Sequence, residues 1–126
     1  MILLDSQAVL WLLDDNPRLG RRAREMIRLG NVHVSVATVW ELTITSMLGK
    51  LKIPGKLSSV LVDQGLQLLR ITSEHAEGMR DFPELSRHDP FDRMLVAQAH
   101  QSGLRLLTAD RVLLDLGRDF IVDATV

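Results

Sequence analysis

The sequence predicts an α/β fold, a three-layer α/β/α sandwich around a sheet of four or five mainly parallel strands. Two observations predict it. Short apolar runs of strand length alternate along the chain with longer stretches of helical periodicity, the pattern of successive β-α units. Gly, Pro and Asn punctuate the boundaries between them. Strands joined in this way need helices on both faces of the sheet and right-handed crossovers.

Taken in order, Ile2 to Leu4 is a short apolar run followed by polar residues and reads as a buried strand. Ser6 is a candidate cap for a helix through about Asp14, and Asp15-Asn16-Pro17 is a turn with Pro17 at a helix start. That next helix spans roughly Arg18 to Leu29, with Leu19, Ala23, Met26, Ile27 and Gly30 at helical spacing on its inner side. Val32 to Val34 is the second strand, and Ser35 caps a helix that Gly49 ends. Pro54-Gly55 is a turn, and a helix from about Ser58 to Gly65 leads into a third strand at Leu68 to Ile71. Ser73 caps a helix through about Phe82, and a polar stretch follows from Pro83 to Asp89. A helix spans Pro90 to Gln101 and ends at Gly103, Arg105 to Leu107 is the fourth strand, and Phe120 to Val122 is a final edge strand.

At 126 residues the chain has the size of one compact domain, and residues 1–126 are read as a single domain. Hydrophobic residues make up 46% and aromatics only 4%, so Leu, Val, Ile and Met must fill the core. A net charge of −1 argues against a nucleic-acid binder that relies on bulk charge, while leaving room for a local basic rim. The absence of cysteine excludes disulfides and thiolate metal sites. No secretory h-region or membrane-length apolar stretch is present, and the expectation is a soluble cytoplasmic protein without membrane association.

In a parallel α/β unit the carboxyl end of each strand and the amino end of the following helix share one edge of the sheet, where ligands bind. The acids fall on that edge. Asp5 directly follows the first strand, Asp92 lies in the first turn of the helix beginning at Pro90, and Asp110 lies just after the fourth strand. Glu41 sits in the second turn of the helix after strand two, with a side chain long enough to reach back. Ser6 and Thr108 flank the same edge and can hydrogen-bond a carboxylate or a metal-bound water.

Two unit charges about 4 Å apart repel by roughly 4 kcal/mol at an effective dielectric near 20, so four such groups need neutralising. No Lys or Arg adjoins Asp5 or Glu41 in sequence. An all-oxygen cluster suits a hard divalent cation, Mg²⁺ or Mn²⁺, which activates water and neutralises charge on a phosphodiester. Each acid also has a plainer role. Asp89-Pro90-Phe91-Asp92 is a good helix start, with Asp89 as N-cap and Asp92 as the capping-box acid. Our reading gives the cap to Asp89 and turns Asp92 into the cleft. Asp5 can close a strand and Asp110 can start a short helix, whereas Glu41, between Trp40 and Leu42 on a largely apolar helix, has no ready structural role.

The segments MILLDSQAVLWLL, VSVATVWELTIT, HDPFDRMLVAQA and LLTAD, in that order and at these spacings, resemble the PIN-domain nucleases, specifically the VapC-like toxins of bacterial and archaeal toxin–antitoxin pairs. The resemblance spans nearly the whole chain. It implies a five-stranded parallel sheet between helices and Mg²⁺- or Mn²⁺-dependent endoribonuclease activity. By position it assigns Asp5, Glu41, Asp92 and Asp110 as the family's catalytic and metal-binding acids. It further implies a homodimer inhibited by a small cognate antitoxin protein.

Arg18, Arg21, Arg22, Arg24 and Arg28 make one helix basic, either as a solvated face or as a rim for RNA phosphates. Arg93 and His88 border Asp92 and are placed to touch a scissile phosphate. Arg93 can equally pair with an acid, and a lone loop histidine such as His88 is seldom a metal ligand. Between Ile44 and Leu66 a Leu-, Val- and Ile-rich stretch is broken by Gly49, Pro54 and Gly55. It is either a helical hairpin folded onto the domain or a partly exposed groove for a partner helix or dimer contact, with Leu51 and Leu57 as its probes. An aspartyl phosphatase is discounted because Gln7 stands where a second Asp belongs, and a receiver domain because no strand-end Lys is evident. The remaining rival is a PIN-like binding or scaffold module without catalysis, whose mark would be lost acids.

Overall fold

The computed structural model describes residues 1–53 and 55–126. Five strands form one parallel sheet: β1 (Ile2–Leu4), β2 (Val32–Ser35), β3 (Gln67–Leu69), β4 (Arg105–Thr108) and β5 (Ile121–Asp123). Their order is β3-β2-β1-β4-β5. The chain builds outward from β1 through β2 to β3, then returns past β1 to lay down β4 and β5. The turning point lies between β1 and β4, paired in register Ile2↔Arg105, Leu3↔Leu106 and Leu4↔Leu107.

The helices are α1 (Ser6–Leu13), α2 (Arg21–Leu29), α3 (Val36–Met47), α4 (Leu57–Asp63), α5 (Ser73–Glu77), α6 (Pro90–Ser102) and α7 (Arg111–Leu114). Side chains alternate across the sheet with the strand period of two. Ile2 and Leu4 face one layer with Ala8 and Val9 of α1, Ala23 of α2, Leu42 of α3 and Leu57 and Leu61 of α4. Leu3 and Leu106 face the other, with Leu95, Val96 and Ala99 of α6 and Leu113 of α7. The predicted three-layer sandwich is therefore the fold, with five strands and every pairing parallel.

Several boundaries differ from the sequence reading, each for a local reason. Asp5, not Ser6, caps α1: its backbone is extended and its carboxylate accepts the Ala8 N–H at 2.8 Å. The helix expected from Arg18 begins at Arg21. Residues after Asp15 form a turn in which Asn16 Oδ1 accepts the Arg18 N–H at 2.9 Å, and Gly20 is the N-cap. Thr72 rather than Ser73 caps α5, through a reciprocal pairing with His75. That helix stops at Glu77 and tightens into a 3₁₀ turn, Gly78–Asp81. The stretch expected to be merely polar holds a second 3₁₀ turn, Pro83–Leu85, and both Phe82 and Leu85 are core residues. Strand β3 ends at Leu69 rather than Ile71, and β5 runs one residue later than expected. The turn expected at Pro54-Gly55 falls partly on Pro54, outside the described residues.

The stretch from Ile44 to Leu66 divides between the two roles considered for it. Leu57 and Leu61 are buried, and Leu51 and Ile53 pack against the same core. Val62 of α4 is exposed, and most of the other exposed apolar residues hereabouts lie along α3 and at its end: Val36, Trp40, Ile44, Met47 and Leu48, with Trp40 at 60% and Met47 at 82%. Leu57, at 6%, is thus a core residue and no probe of association.

This layering predicts where truncation hurts. Leu4→Ala, in the central strand and without exposure, should lower unfolding free energy by roughly 2–5 kcal/mol. Leu68→Ala on edge strand β3 should cost well under about 1 kcal/mol. Urea denaturation of the two variants checks the contrast.

Candidate active site

Parallel sheets present ligand sites at the carboxyl ends of strands, at the point where strand order reverses. Here that point lies between β1 and β4, and an acid follows each strand closely: Asp5 directly after β1, and Asp110 two residues after Thr108 ends β4. Asp5 is 4% exposed. One oxygen accepts the Ala8 N–H, and the other accepts the Thr108 hydroxyl at 2.6 Å. The Thr108 oxygen also accepts the Asp110 N–H at 3.0 Å, so a single hydroxyl ties the two acids into one frame.

Asp110 divides its carboxylate. Oδ1 caps α7 by accepting the N–H groups of Val112 and Leu113 at 2.8 and 3.3 Å. Oδ2 faces His88 Nε2 at 3.4 Å. Asp92 Oδ2 lies 3.1 Å from the same nitrogen. Asp89 caps α6, accepting from the N–H of Phe91 at 2.7 Å and of Asp92 at 3.4 Å, so the helix start does not consume the Asp92 carboxylate. Glu41 reaches back from α3 and accepts the Ser6 hydroxyl. Asp5, Ser6, Glu41, Asp92 and Asp110 all line one cleft of about 390 Å³, room for a hydrated ion and a phosphodiester together.

The cleft is electrostatically unbalanced. Among the described residues no Lys or Arg forms an ion pair with any of the four acids; His88 is the one basic partner. Burial, followed by the charges of Asp89, Asp110 and Asp5, pushes the Asp92 carboxyl up to about 7. Burial likewise raises Asp5, against hydrogen bonds from Thr108 and Ala8 that lower it and the charges of Asp110 and Glu41 that raise it. Converging hard oxygen donors, of which Asp5 and Asp92 resist ionisation, fit a divalent cation.

A family model described as the PIN domain matches residues 2–119. The chain belongs to the PIN domain family. No curated protein matches it. Among solved structures it is similar to a toxin–antitoxin complex from Klebsiella pneumoniae, with a TM-score of 0.67 and 16% identity over 98% of both chains. It is also similar to FitAcB from Neisseria gonorrhoeae (TM-score 0.59, 24% identity, 87% of this chain and 88% of that one). A third neighbour is FitAB bound to an IR36 DNA fragment (TM-score 0.58, 22% identity, 87% and 85%). At these identities the neighbours establish a shared fold.

The PIN domain's remaining candidates are placed as follows. Arg93 does not line the cleft: its guanidinium donates to the Ser86 carbonyl at 3.3 Å and braces the turn before α6. His88, the lone loop histidine given little weight in the sequence, lies between Asp92 and Asp110. Its four-residue offset from Asp92 was the available signal. On and before α2, Arg24 pairs with Asp15 and Arg28 with Glu25, whereas Arg18, Arg21 and Arg22 form no ion pair among the described residues.

The Asp92 shift has a signed consequence for stability. Its carboxyl ionises at about 7 in the folded protein against an ordinary 3.8, so the protonated acid is the form the fold prefers. The associated stability is fully present below pH 3.8 and is lost as pH rises through 7. Asn imitates the neutral acid. In chelator, Asp92→Asn should melt roughly 3–8 °C above wild type at pH 8, with the gap shrinking towards pH 4. Thermal scans across that range test it; a constant difference would refute the assignment.

Proposed function

We propose that this PIN domain, residues 1–126 acting as a single domain, is a divalent-metal-dependent endoribonuclease that hydrolyses RNA phosphodiester bonds and serves as the VapC-like toxin of a toxin–antitoxin pair. The observation that carries the proposal is the cleft itself: four carboxylates at the β1/β4 switch point, none paired with Lys or Arg among the described residues. A catalytically inert scaffold would have no reason to maintain that repulsion.

Asp5, Glu41, Asp92 and Asp110 would hold Mg²⁺ or Mn²⁺. Such an ion, when bound, supplies an activated water and neutralises charge developing on the phosphate. The protein's own groups do the positioning. Thr108 fixes Asp5 and the start of the Asp110 turn, and Ser6 orients Glu41. Arg18, Arg21 and Arg22, which form no ion pair among the described residues, would hold flanking phosphates, and Arg93 supports the site through the turn it braces.

One of the neighbours named above is a toxin–antitoxin complex, which supports an antitoxin protein as partner for this chain. The exposed stripe of Val36, Trp40, Ile44 and Met47 follows helical spacing on one side of α3 and carries no charge. Two copies can meet there without like-charge repulsion, and we assign it to a homodimer contact. Among the described residues no helix is long and apolar enough to cross a membrane, and we place the protein in the cytoplasm.

Cleavage of single-stranded RNA by purified protein should appear with Mn²⁺ or Mg²⁺ and vanish with chelator. Asp92→Asn and Glu41→Gln should remain folded and lose activity by orders of magnitude, because each removes a full charge and a hard anionic ligand. Wild-type rates in Asp92→Asn would sink the mechanism. Separately, Trp40→Glu combined with Met47→Glu should convert a dimer to a folded monomer in light scattering coupled to size exclusion.

A further inference from the structure

The turn before α6 places an imidazole between Asp92 and Asp110, at the side of the cleft those acids line. His88 follows the 3₁₀ turn Pro83–Leu85, and its N–H donates to the Leu85 carbonyl at 2.9 Å. Asp89 then caps α6 with Pro90 at its first position, fixing the backbone on the other side. Arg93 ties Ser86 to the helix. The ring is thus held by structure on both sides of it, and its side chain is only 20% exposed.

His88 Nε2 lies 3.1 Å from Asp92 Oδ2 and 3.4 Å from Asp110 Oδ2. One donor atom from each of the three residues falls within 4.8 Å of the others, a span one ion can bridge. Asp110 Oδ1 is committed to α7, so Oδ2, the oxygen facing His88, is the one left to bind. The described histidines elsewhere have other places: His33 lies within β2, His75 pairs with the Thr72 cap of α5 and bonds Ser102, and His100 packs against Phe82 and Phe120.

The geometry points to His88 as a nitrogen ligand of the divalent ion, making this a mixed nitrogen–oxygen site that favours Mn²⁺ over Mg²⁺ more strongly than its carboxylates alone would. The inference rests on the metal-dependent reading above and adds a donor to it. Imidazole suits the transition metals, whereas Mg²⁺ prefers oxygen and gives up its water reluctantly. Removing His88 should therefore weaken Mn²⁺ binding and leave Mg²⁺ binding nearly as it was.

The test uses tag-free, chelator-stripped full chain, with Mn²⁺ and Mg²⁺ titrated by calorimetry and bound Mn²⁺ examined by electron spin echo spectroscopy. Wild-type protein should show modulation from a directly coordinated ¹⁴N nucleus, absent in both His88→Ala and His88→Gln. The Mn²⁺ Kd should rise about tenfold or more in His88→Ala, taking the loss of a ligand to be at least as costly as loss of a supporting group. The Mg²⁺ Kd should change much less. Mn²⁺ bound without nitrogen coupling, or bound equally well by His88→Ala, would overturn the inference and leave the carboxylate site standing. Wild-type protein that bound neither ion would overturn both.

Discussion

The buried carboxylate of Asp5 is the constraint on which the rest of the structure depends. Taking an ionised group out of water is expensive unless hydrogen bonds replace the lost hydration. Asp5 receives one from the first turn of its own helix and one from Thr108, 103 residues away. The second exists only because β1 and β4 pair in a particular register, with Leu4 opposite Leu107 and the Asp5 N–H donating to the Leu107 carbonyl at 3.1 Å. A one-residue slip would turn Thr108 to the other face and strand the carboxylate. Sheet register, core packing and the acidic cleft are therefore specified together.

The same edge explains how four acids coexist without a Lys or Arg. Asp5 and Asp110 cap α1 and α7, and Asp89 caps α6 with Asp92 in its first turn. Each of these positions faces unpaired backbone N–H groups and the positive end of a helix dipole. Parallel topology brings those helix starts to the strand ends, so the fold supplies partial positive charge where the acids gather. The relief is incomplete: burial first, and the neighbouring acids after it, still hold the Asp92 carboxyl up at about 7.

Much of this was legible in the sequence because it follows from periodicity. Apolar runs located all five strands, and strand–helix alternation placed Asp5, Asp92 and Asp110 on one edge without coordinates. What the sequence left hidden depended on contacts between distant segments. Ser6 and Asp5 are both acceptable caps, and only the Thr108 contact and the extended backbone at Asp5 decide between them. Phe82 was read as the end of a helix and Leu85 as part of a polar stretch, yet Phe82 sits between two 3₁₀ turns and Leu85 ends the second, and both are core residues. Leu57, in a broken apolar segment that the sequence left open between groove and core, opens α4 as a core residue. Arg93 looked like a phosphate contact because it adjoins Asp92, but neighbours in a helix point about 100° apart, and its guanidinium turns to Ser86.

The segment from His88 to Asp92 shows why a helix-start motif and a functional site need not be rival readings. A helix beginning at Pro90 must satisfy the N–H groups of its first turn, and Asp89 takes two of them with one oxygen. Asp92 is then free of the duty that a capping box would impose on it. The residue just before the cap lies outside the helix, and the non-helical backbone at Asp89 carries it back over Asp92. That residue is His88. Had Asp92 been required for the cap, its carboxylate would have been drawn back over the helix start and away from Asp110. Local capping chemistry at Asp89 is therefore what releases Asp92 to the cleft and brings His88 with it.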